Sequence, residues 1–237
     1  MSLLGVVSRW PVFAQATPSH GAWGFVVQEP SKRWSVSAEG GGGALAVSRA
    51  PRDWTIYAEG LPLAPAEMSA VTGELIIAGA APRQGSIRVA RSSSWFFIYE
   101  GTIVNVDALC AAIHPTWLVR GGHTQSATSL LFAHLMARLA EADSDSDAAT
   151  DEAMRAAAAD LHRAGSLGSA AFLCSNGARL YAYAAGHRLV VSSVADAILV
   201  GSPEVLPPRS TTRELSDGSM VSVAKLPQLG WSILAEP

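Results

Sequence analysis

The sequence of 237 residues is poor in charge and lacks long apolar runs. Lysine and arginine number 17 against 20 acidic residues, which gives a formal net charge of −3. A chain without a basic excess cannot neutralise many phosphates, so we expect no nucleic-acid partner. No apolar run approaches the roughly 20 residues that a membrane helix needs. We therefore expect no membrane partner either.

Cysteine is also scarce. The two cysteines, Cys110 and Cys174, each lie in an apolar segment, and we expect them to be buried, reduced and chemically inert rather than part of a disulfide scaffold. An A-Q-A segment at positions 14–16 has the form of a signal-peptide cleavage site, but no basic segment precedes it and Arg9 interrupts the apolar stretch. The sequence therefore favours a cytoplasmic location.

No metal-ligand pattern is present. The six histidines show no short spacing of the kind that binds zinc, and no cysteine lies near enough to complete such a site. Asp143, Asp145 and Asp147 imitate the start of a calcium loop, but Ala148 and Met154 stand where that loop needs glycine and glutamate. We expect no metal and no other cofactor.

Apolar residues, in contrast, make up 49% of the chain, which is enough for a sizeable core. Short runs of β-type residues fill the first hundred positions and the last third. A polar, proline-bearing loop is predicted from residue 8 to residue 20. Strands are predicted at 3–7, 23–28, 34–37, 74–78, 86–90, 95–99, 171–174, 180–183, 188–192, 197–200, 220–224 and 231–234.

The apolar period changes to that of a helix in the middle of the chain. Residues 124–140 and 151–163 are predicted helices, and the polar, acidic residues 141–150 between them are a predicted loop. His134 falls on the apolar side of the first helix, where we expect a satisfied, partly buried histidine. Strands, two helices and strands again predict an α+β domain that spans residues 1–237.

Four short segments are more informative together, in their order along the chain, than each is alone. Ser2 follows the initiator methionine and leads into the first strand. Residues 20–25 are H-G-A-W-G-F, residues 97–105 are F-I-Y-E-G-T-I-V-N, and residues 121–127 are G-G-H-T-Q-S-A. These segments resemble the nucleophile, D-G-W-G, H-N-G and T-D-S/T-E segments of the glutaminase domain of class II glutamine amidotransferases. The likeness extends over nearly the whole chain.

The resemblance implies the N-terminal-nucleophile (Ntn) hydrolase fold, a four-layer αββα sandwich. In that family an N-terminal cysteine attacks the glutamine amide with its own α-amino group as the base, and an Asn-Gly pair stabilises the oxyanion. Here Ser2 stands at the nucleophile position, and Glu100 and Gly101 stand at the oxyanion positions. Gln125, beside Thr124, replaces the aspartate that binds the substrate ammonium. No arginine clearly matches the one that binds the substrate carboxylate.

These changes together favour a degenerate member of the family, a pseudoenzyme that lacks glutaminase activity and acts in binding or interaction. Its partner would be a small amide or amino-acid-like ligand, held in part by Thr124 and Gln125, or a protein. The alternative is an Ntn-type amide hydrolase that uses N-terminal Ser2 on a substrate other than glutamine, with Glu100 neutralised by burial or paired with a cationic group. An ordinary glutaminase ranks third. We also expect Glu100 at the end of its strand, close to Ser2.

Overall fold

The computed structural model describes residues 2–16, 22–28, 34–40, 45–48, 70–81, 88–92, 95–111, 113, 127–142, 146–165, 167–194, 196–203, 206, 211–224 and 228–236. Within these ranges the chain forms fourteen strands and three helices. The first strands are β1 (Ser2–Ala16), β2 (Ala22–Gln28), β3 (Trp34–Gly40), β4 (Leu45–Ser48), β5 (Ala70–Ala81), β6 (Arg88–Ser92) and β7 (Trp95–Ile103). The helices are α1 (Val106–Ala111), α2 (Ala127–Glu141) and α3 (Asp147–Arg163). The last strands are β8 (Leu167–Ser175), β9 (Arg179–Ala185), β10 (Val190–Val194), β11 (Ala197–Gly201), β12 (Thr211–Glu214), β13 (Met220–Ala224) and β14 (Gly230–Ala235).

The described strands form two antiparallel sheets. Sheet A has the order β12-β10-β11-β1-β5-β2-β3, with β4 also paired to β1, and sheet B has the order β14-β13-β9-β8-β7-β6. Seven strands precede the helices and seven follow them, so the predicted α+β class is confirmed. No helix in the described part of the chain is long and apolar enough to cross a membrane.

Strand β1 is longer than predicted. The sequence predicts a loop after residue 7, but β1 continues to Ala16. Its pairing with β5 is irregular between Val7 and Val12, a stretch that contains Pro11. Proline cannot donate to a β-ladder, so it is tolerated at such an irregularity. The loop prediction was wrong for residues 8–16, because the strand accommodates its proline at the irregularity and resumes pairing beyond it. Residues 17–20 of the predicted loop lie outside the described residues.

Buried apolar side chains from both sheets form one cluster, which we call the inter-sheet layer. Leu3 and Val7 of β1 belong to it together with Ile98 of β7. Gly5 lies between the two β1 residues, and a β-carbon there would overlap the side chain of Leu180 in β9. The absence of a side chain at Gly5 therefore lets the two sheets approach closely.

Helices α2 and α3 cover the other face of sheet B. Leu135 of α2 and Met154 of α3 are buried in a second cluster with Phe97, Phe172 and Tyr183 of the sheet. The rings of the last two are 5.2 Å apart, centre to centre, in a stacked arrangement. In the described ranges the strongest helix contacts are with sheet B and with other helices. A second helical layer over sheet A stays a prediction.

Helix α3 begins at Asp147 rather than at residue 151. Ser146 caps it, because its side chain accepts a hydrogen bond from the backbone N–H of Ala149. The carboxylate of Asp147 in the first turn is favourable beside the positive end of the helix dipole. The predicted loop at 141–150 was therefore wrong for residues 147–150, and for Glu141, which ends α2.

The expectation for His134 is confirmed in part, because the side chain is buried more completely than expected and its Nδ1 has no hydrogen-bond partner in the described residues. Its side chain is only 1% exposed, and its Nε2 lies 3.4 Å from the carbonyl oxygen of Ala157 in α3. Burial lowers the pKa of His134. The histidine therefore joins α2 to α3 as a neutral hydrogen-bond donor.

Candidate functional site

The two predicted oxyanion positions lie within β7 and not at its end. Glu100 pairs with Ala171 of β8, and the register shifts between Gly101 and Ile103 before the strand ends. The prediction that Glu100 ends its strand was wrong because the ladder passes Gly101 through a bulge. The strand then continues by two residues, to Ile103.

Gly101 has a backbone conformation that side chains rarely adopt. Its φ is +129°, and a β-carbon would overlap the carbonyl oxygen of Ser169 and crowd Ala170. Only glycine fits this position without strain. The peptide that joins Glu100 to Gly101 is therefore held in one orientation by the backbone of β8.

Glu100 is buried on the face of β7 that looks toward sheet A. Residues two apart on a strand share a face, and Ile98 belongs to the inter-sheet layer. Ala171, directly opposite Glu100 on β8, belongs to the same layer. Glu100 is 5% exposed. An acidic side chain therefore lies among small and apolar ones between the two sheets.

The start of β1 borders this layer from the opposite sheet. Ser2 stands opposite Ala80 of β5, and Leu3 is one of the buried residues of the inter-sheet layer. Strand β1 contacts β8, and β5 contacts β7, across that layer. The fold thus places the predicted nucleophile strand, β1, and the predicted oxyanion strand, β7, in facing sheets.

A second predicted segment joins them through β5. Residues 22–25 of the 20–25 segment lie in β2, where Trp23 stands opposite Ala80. Ala80 is also the partner of Ser2, so the two segments flank one residue of β5. The predicted substrate-binding positions, Thr124 and Gln125, lie outside the described residues, as do residues 20 and 21.

Two residues that the sequence did not single out hold the start of β1. The backbone N–H of Leu3 donates to Oγ of Ser202 at 3.0 Å, and the N–H of Ser202 donates to the carbonyl oxygen of Leu3 at 2.9 Å. Gly201 precedes Ser202, and a β-carbon on it would overlap that same carbonyl oxygen. The only local signal was a Gly-Ser pair after a buried strand, because the bonded residues are 199 positions apart.

Within the described ranges, no group of three or more His, Cys, Asp or Glu side chains could hold a metal ion. Cys174 is fully buried, as predicted, and burial raises the pKa of its thiol. Cys110, which was also predicted to be buried, is only half-buried on α1. The thiol of Cys174 is thus held protonated and away from reagents.

No family model and no curated protein matches the sequence. Solved structures do. Glutamine phosphoribosylpyrophosphate amidotransferase from B. subtilis, in complex with ADP and GMP, matches the whole chain with a TM-score of 0.58 and 16% identity. The chain spans 50% of that protein.

Two shorter proteins match over nearly their full length. A predicted glutamine amidotransferase from Pseudomonas aeruginosa has a TM-score of 0.59 and 12% identity, with both chains covered completely. A glutamine aminotransferase class-II domain protein from Silicibacter pomeroyi has a TM-score of 0.52 and 16% identity, over 94% of this chain and 96% of that one. At such identities the likeness shows the fold alone. The chain has a class II glutamine amidotransferase-like fold.

Proposed function

We propose that the chain is a class II glutamine amidotransferase-like protein that lacks glutaminase activity and acts in binding or interaction. The carboxyl group of Glu100, at the position of the family's oxyanion-hole amide, carries this proposal. Hydrolysis of an amide needs a donor where negative charge develops, and removal of one such donor costs about 3–4 kcal/mol of transition-state stabilisation. An ionised carboxylate accepts hydrogen bonds and cannot donate them. Beside Gly101 it would oppose the charge that it should stabilise.

The wider proposal covers the whole chain. We propose one domain over residues 1–237, with the four-layer αββα arrangement of Ntn hydrolases and a cytoplasmic location. The inter-sheet layer and the packing of α2 and α3 on sheet B support three of the four layers. The ligand would be a small amide or amino-acid-like molecule near Gln125 and Thr124, or else a protein partner.

A second function is favoured by the geometry at Gly101. Its backbone conformation fixes the peptide that follows Glu100, as an oxyanion site would require. Ser2 stands at the head of a central strand that borders the same layer. These features support an Ntn-type amide hydrolase in which Ser2 attacks a substrate other than glutamine.

The decisive experiment measures ammonia release from glutamine by the purified chain and by Ser2→Ala. Intact mass gives the state of Met1 in the same samples. We expect no release above background from either protein. A clear rate that Ser2→Ala abolishes would show the pseudoenzyme proposal to be wrong. Hydrolysis of other amides, lost in Ser2→Ala, would favour the second function instead.

A gain-of-function test restores the residues that the resemblance says are replaced. The triple variant Ser2→Cys, Glu100→Asn, Gln125→Asp regains a thiol, an amide donor and one substrate anchor. We expect at most weak glutaminase activity, because no arginine anchors the substrate carboxylate. Glu152→Asn, the same change at an exposed site on α3, is the matched control. Robust activity in the triple variant would show that glutamine hydrolysis does not need the missing arginine anchor.

A further inference from the structure

We infer that Gly201 and Ser202 form a positioning element of the candidate site, the β11 clamp, which fixes the peptide between Ser2 and Leu3. The inference deepens the proposed function and rests on it only in placing the site at the start of β1. The clamp holds Leu3 by both of its backbone polar groups and ends the β1–β11 ladder one residue before Ser2.

The last rung of this ladder is unusual. Leu4 stands opposite Gly201, so Leu3 and Ser202 are the next pair. In a regular antiparallel pair the residues exchange two bonds between backbone groups. Here the backbone N–H of Ser202 donates one bond at 2.9 Å, but the N–H of Leu3 is received by the Ser202 hydroxyl at 3.0 Å. The side chain replaces the carbonyl group as the acceptor.

The replacement follows from the residue that comes next. Pro203 has a fixed φ and no N–H, so it is suited to leaving a strand. It begins a turn in which its carbonyl oxygen accepts from the N–H of Leu206 at 3.4 Å. Strand β11 thus leaves the sheet where it would otherwise run beside Ser2. Among the described strands, only β5 pairs with Ser2.

Each member of the clamp has a separate physical reason. A β-carbon on Gly201 would overlap the carbonyl oxygen of Leu3 and stand 3.1 Å from Cα of Leu4, so any other residue displaces β1. Ser202 is only 8% exposed, so its bond to Leu3 is shielded from water. Without the hydroxyl, the amide that follows Ser2 loses its acceptor in a place where water cannot readily replace it.

The consequence is a fixed backbone at residue 2. One edge of β1 is paired with β5 at Ser2, and the neighbouring peptide is held by the clamp. A group that must meet a ligand needs such support, because its backbone has to be rigid. The clamp therefore serves to position Ser2.

The test uses Ser2→Cys as a reporter in a Cys110→Ala background, since the remaining Cys174 is fully buried. Alkylation of residue 2 by iodoacetamide and hydrogen exchange of the Leu3 amide are followed in the full chain. We expect Ser202→Ala to speed exchange at Leu3 about tenfold, the effect of losing one hydrogen bond. We also expect it to change alkylation of residue 2 severalfold. Ser202→Thr, which keeps a hydroxyl, should restore both values.

Ser192→Ala is the matched control, because that serine is also buried and its hydroxyl has no hydrogen-bond partner in the described residues. Ser202→Ala results equal to this control would overturn the inference, and so would faster exchange spread evenly over both sheets. A second pair compares Gly201→Ala with Gly230→Ala, where the nearest atom to an added β-carbon is 3.9 Å away. Only the first should alter alkylation at residue 2; equal effects would count against the clamp.

The clamp and the proposed function fail separately. Altered exchange and alkylation in Ser202→Ala, together with glutaminase activity in the parent chain, would refute the pseudoenzyme and leave the clamp supported. If Ser202→Ala leaves exchange at Leu3 and alkylation at residue 2 unaltered, and the parent chain has no glutaminase activity, only the clamp would be refuted.

Discussion

Asp151 provides the sharpest test of how α3 is fastened to sheet B. Its carboxylate accepts a hydrogen bond from the hydroxyl of Tyr181 at 2.8 Å and one from the guanidinium of Arg179 at 3.0 Å. A third, weaker bond comes from Ser222 at 3.3 Å. We expect Asp151→Ala to lower the free energy of unfolding by about 2–4 kcal/mol.

The magnitude follows from burial. Tyr181 is fully buried, so loss of its charged acceptor leaves a buried hydroxyl without a partner, at a cost of about 1–3 kcal/mol. The side chains of Arg179 and Asp151 are 16% and 22% exposed, so their ion pair is worth more than a surface pair and less than a buried one. Asp147 stays within 3.1 Å of Arg179 and limits the loss.

Urea denaturation followed by circular dichroism measures the change. The control is Glu152→Ala, the next residue on α3, whose carboxylate is mostly exposed and pairs only with its neighbour Arg155 in the described structure. We expect no measurable shift there. Tyr181→Phe should cost less when Asp151 is already alanine, which a double-mutant cycle detects. Equal unfolding midpoints for the Asp151 and Glu152 variants would refute the reasoning.

Three further predictions concern single residues. Gly101→Ala should cost about 2–4 kcal/mol in urea denaturation, because its φ of +129° and the nearby β8 backbone exclude a side chain, whereas Gly230→Ala should change stability by less than about 0.5 kcal/mol. Burial lowers the pKa of His134 from 6.5, so just below pH 6.5 only the unfolded chain binds a proton at this residue. As the pH is lowered from 6.5, the free energy of unfolding therefore decreases, by up to about 1.4 kcal/mol per pH unit, until the pKa of the folded state is reached. His134→Gln should remove this part of the pH dependence, and parallel profiles for the two proteins would contradict it. Burial raises the pKa of Tyr99 and of Tyr183 to about 12 each; ultraviolet titration of Tyr→Phe variants should show both ionising well above pH 10, and titration near 10 would refute the burial.

The sequence predicts most helices and strands because the spacing of apolar residues within a short segment indicates its secondary structure. Strand β13 has the predicted ends, and the centres of α2 and α3 are correct. The start of α3 was missed because the acidic stretch at 141–150 has no large apolar residue. The helix is instead initiated by a hydrogen bond from the N–H of Ala149 to the side chain of Ser146. Capping of this kind is independent of apolar period.

The candidate site is harder to predict from the sequence than the fold. The motif places Glu100 beside Gly101 in the sequence, but the face of sheet B on which Glu100 lies depends on the pairing of β7 with β8. A slip by one residue would turn Glu100 toward the helices. The bonds between Ser202 and Leu3 depend on where two distant strands end, which local patterns do not contain.

Two adjacent residues of β7, Glu100 and Gly101, each have a structural feature that is unfavourable for folding stability. An acidic side chain is buried between the sheets at Glu100, where desolvation is unfavourable even with a hydrogen-bond partner. The next residue, Gly101, holds a backbone conformation open mainly to glycine. The sandwich itself requires neither, since an apolar side chain at position 100 would pack with Ile98 and Ala171 at no such cost. Departures from good packing concentrate at functional sites. Their coincidence in the sheet that faces β1 therefore supports the proposal of a binding site, rather than of a scaffold that has merely lost its chemistry.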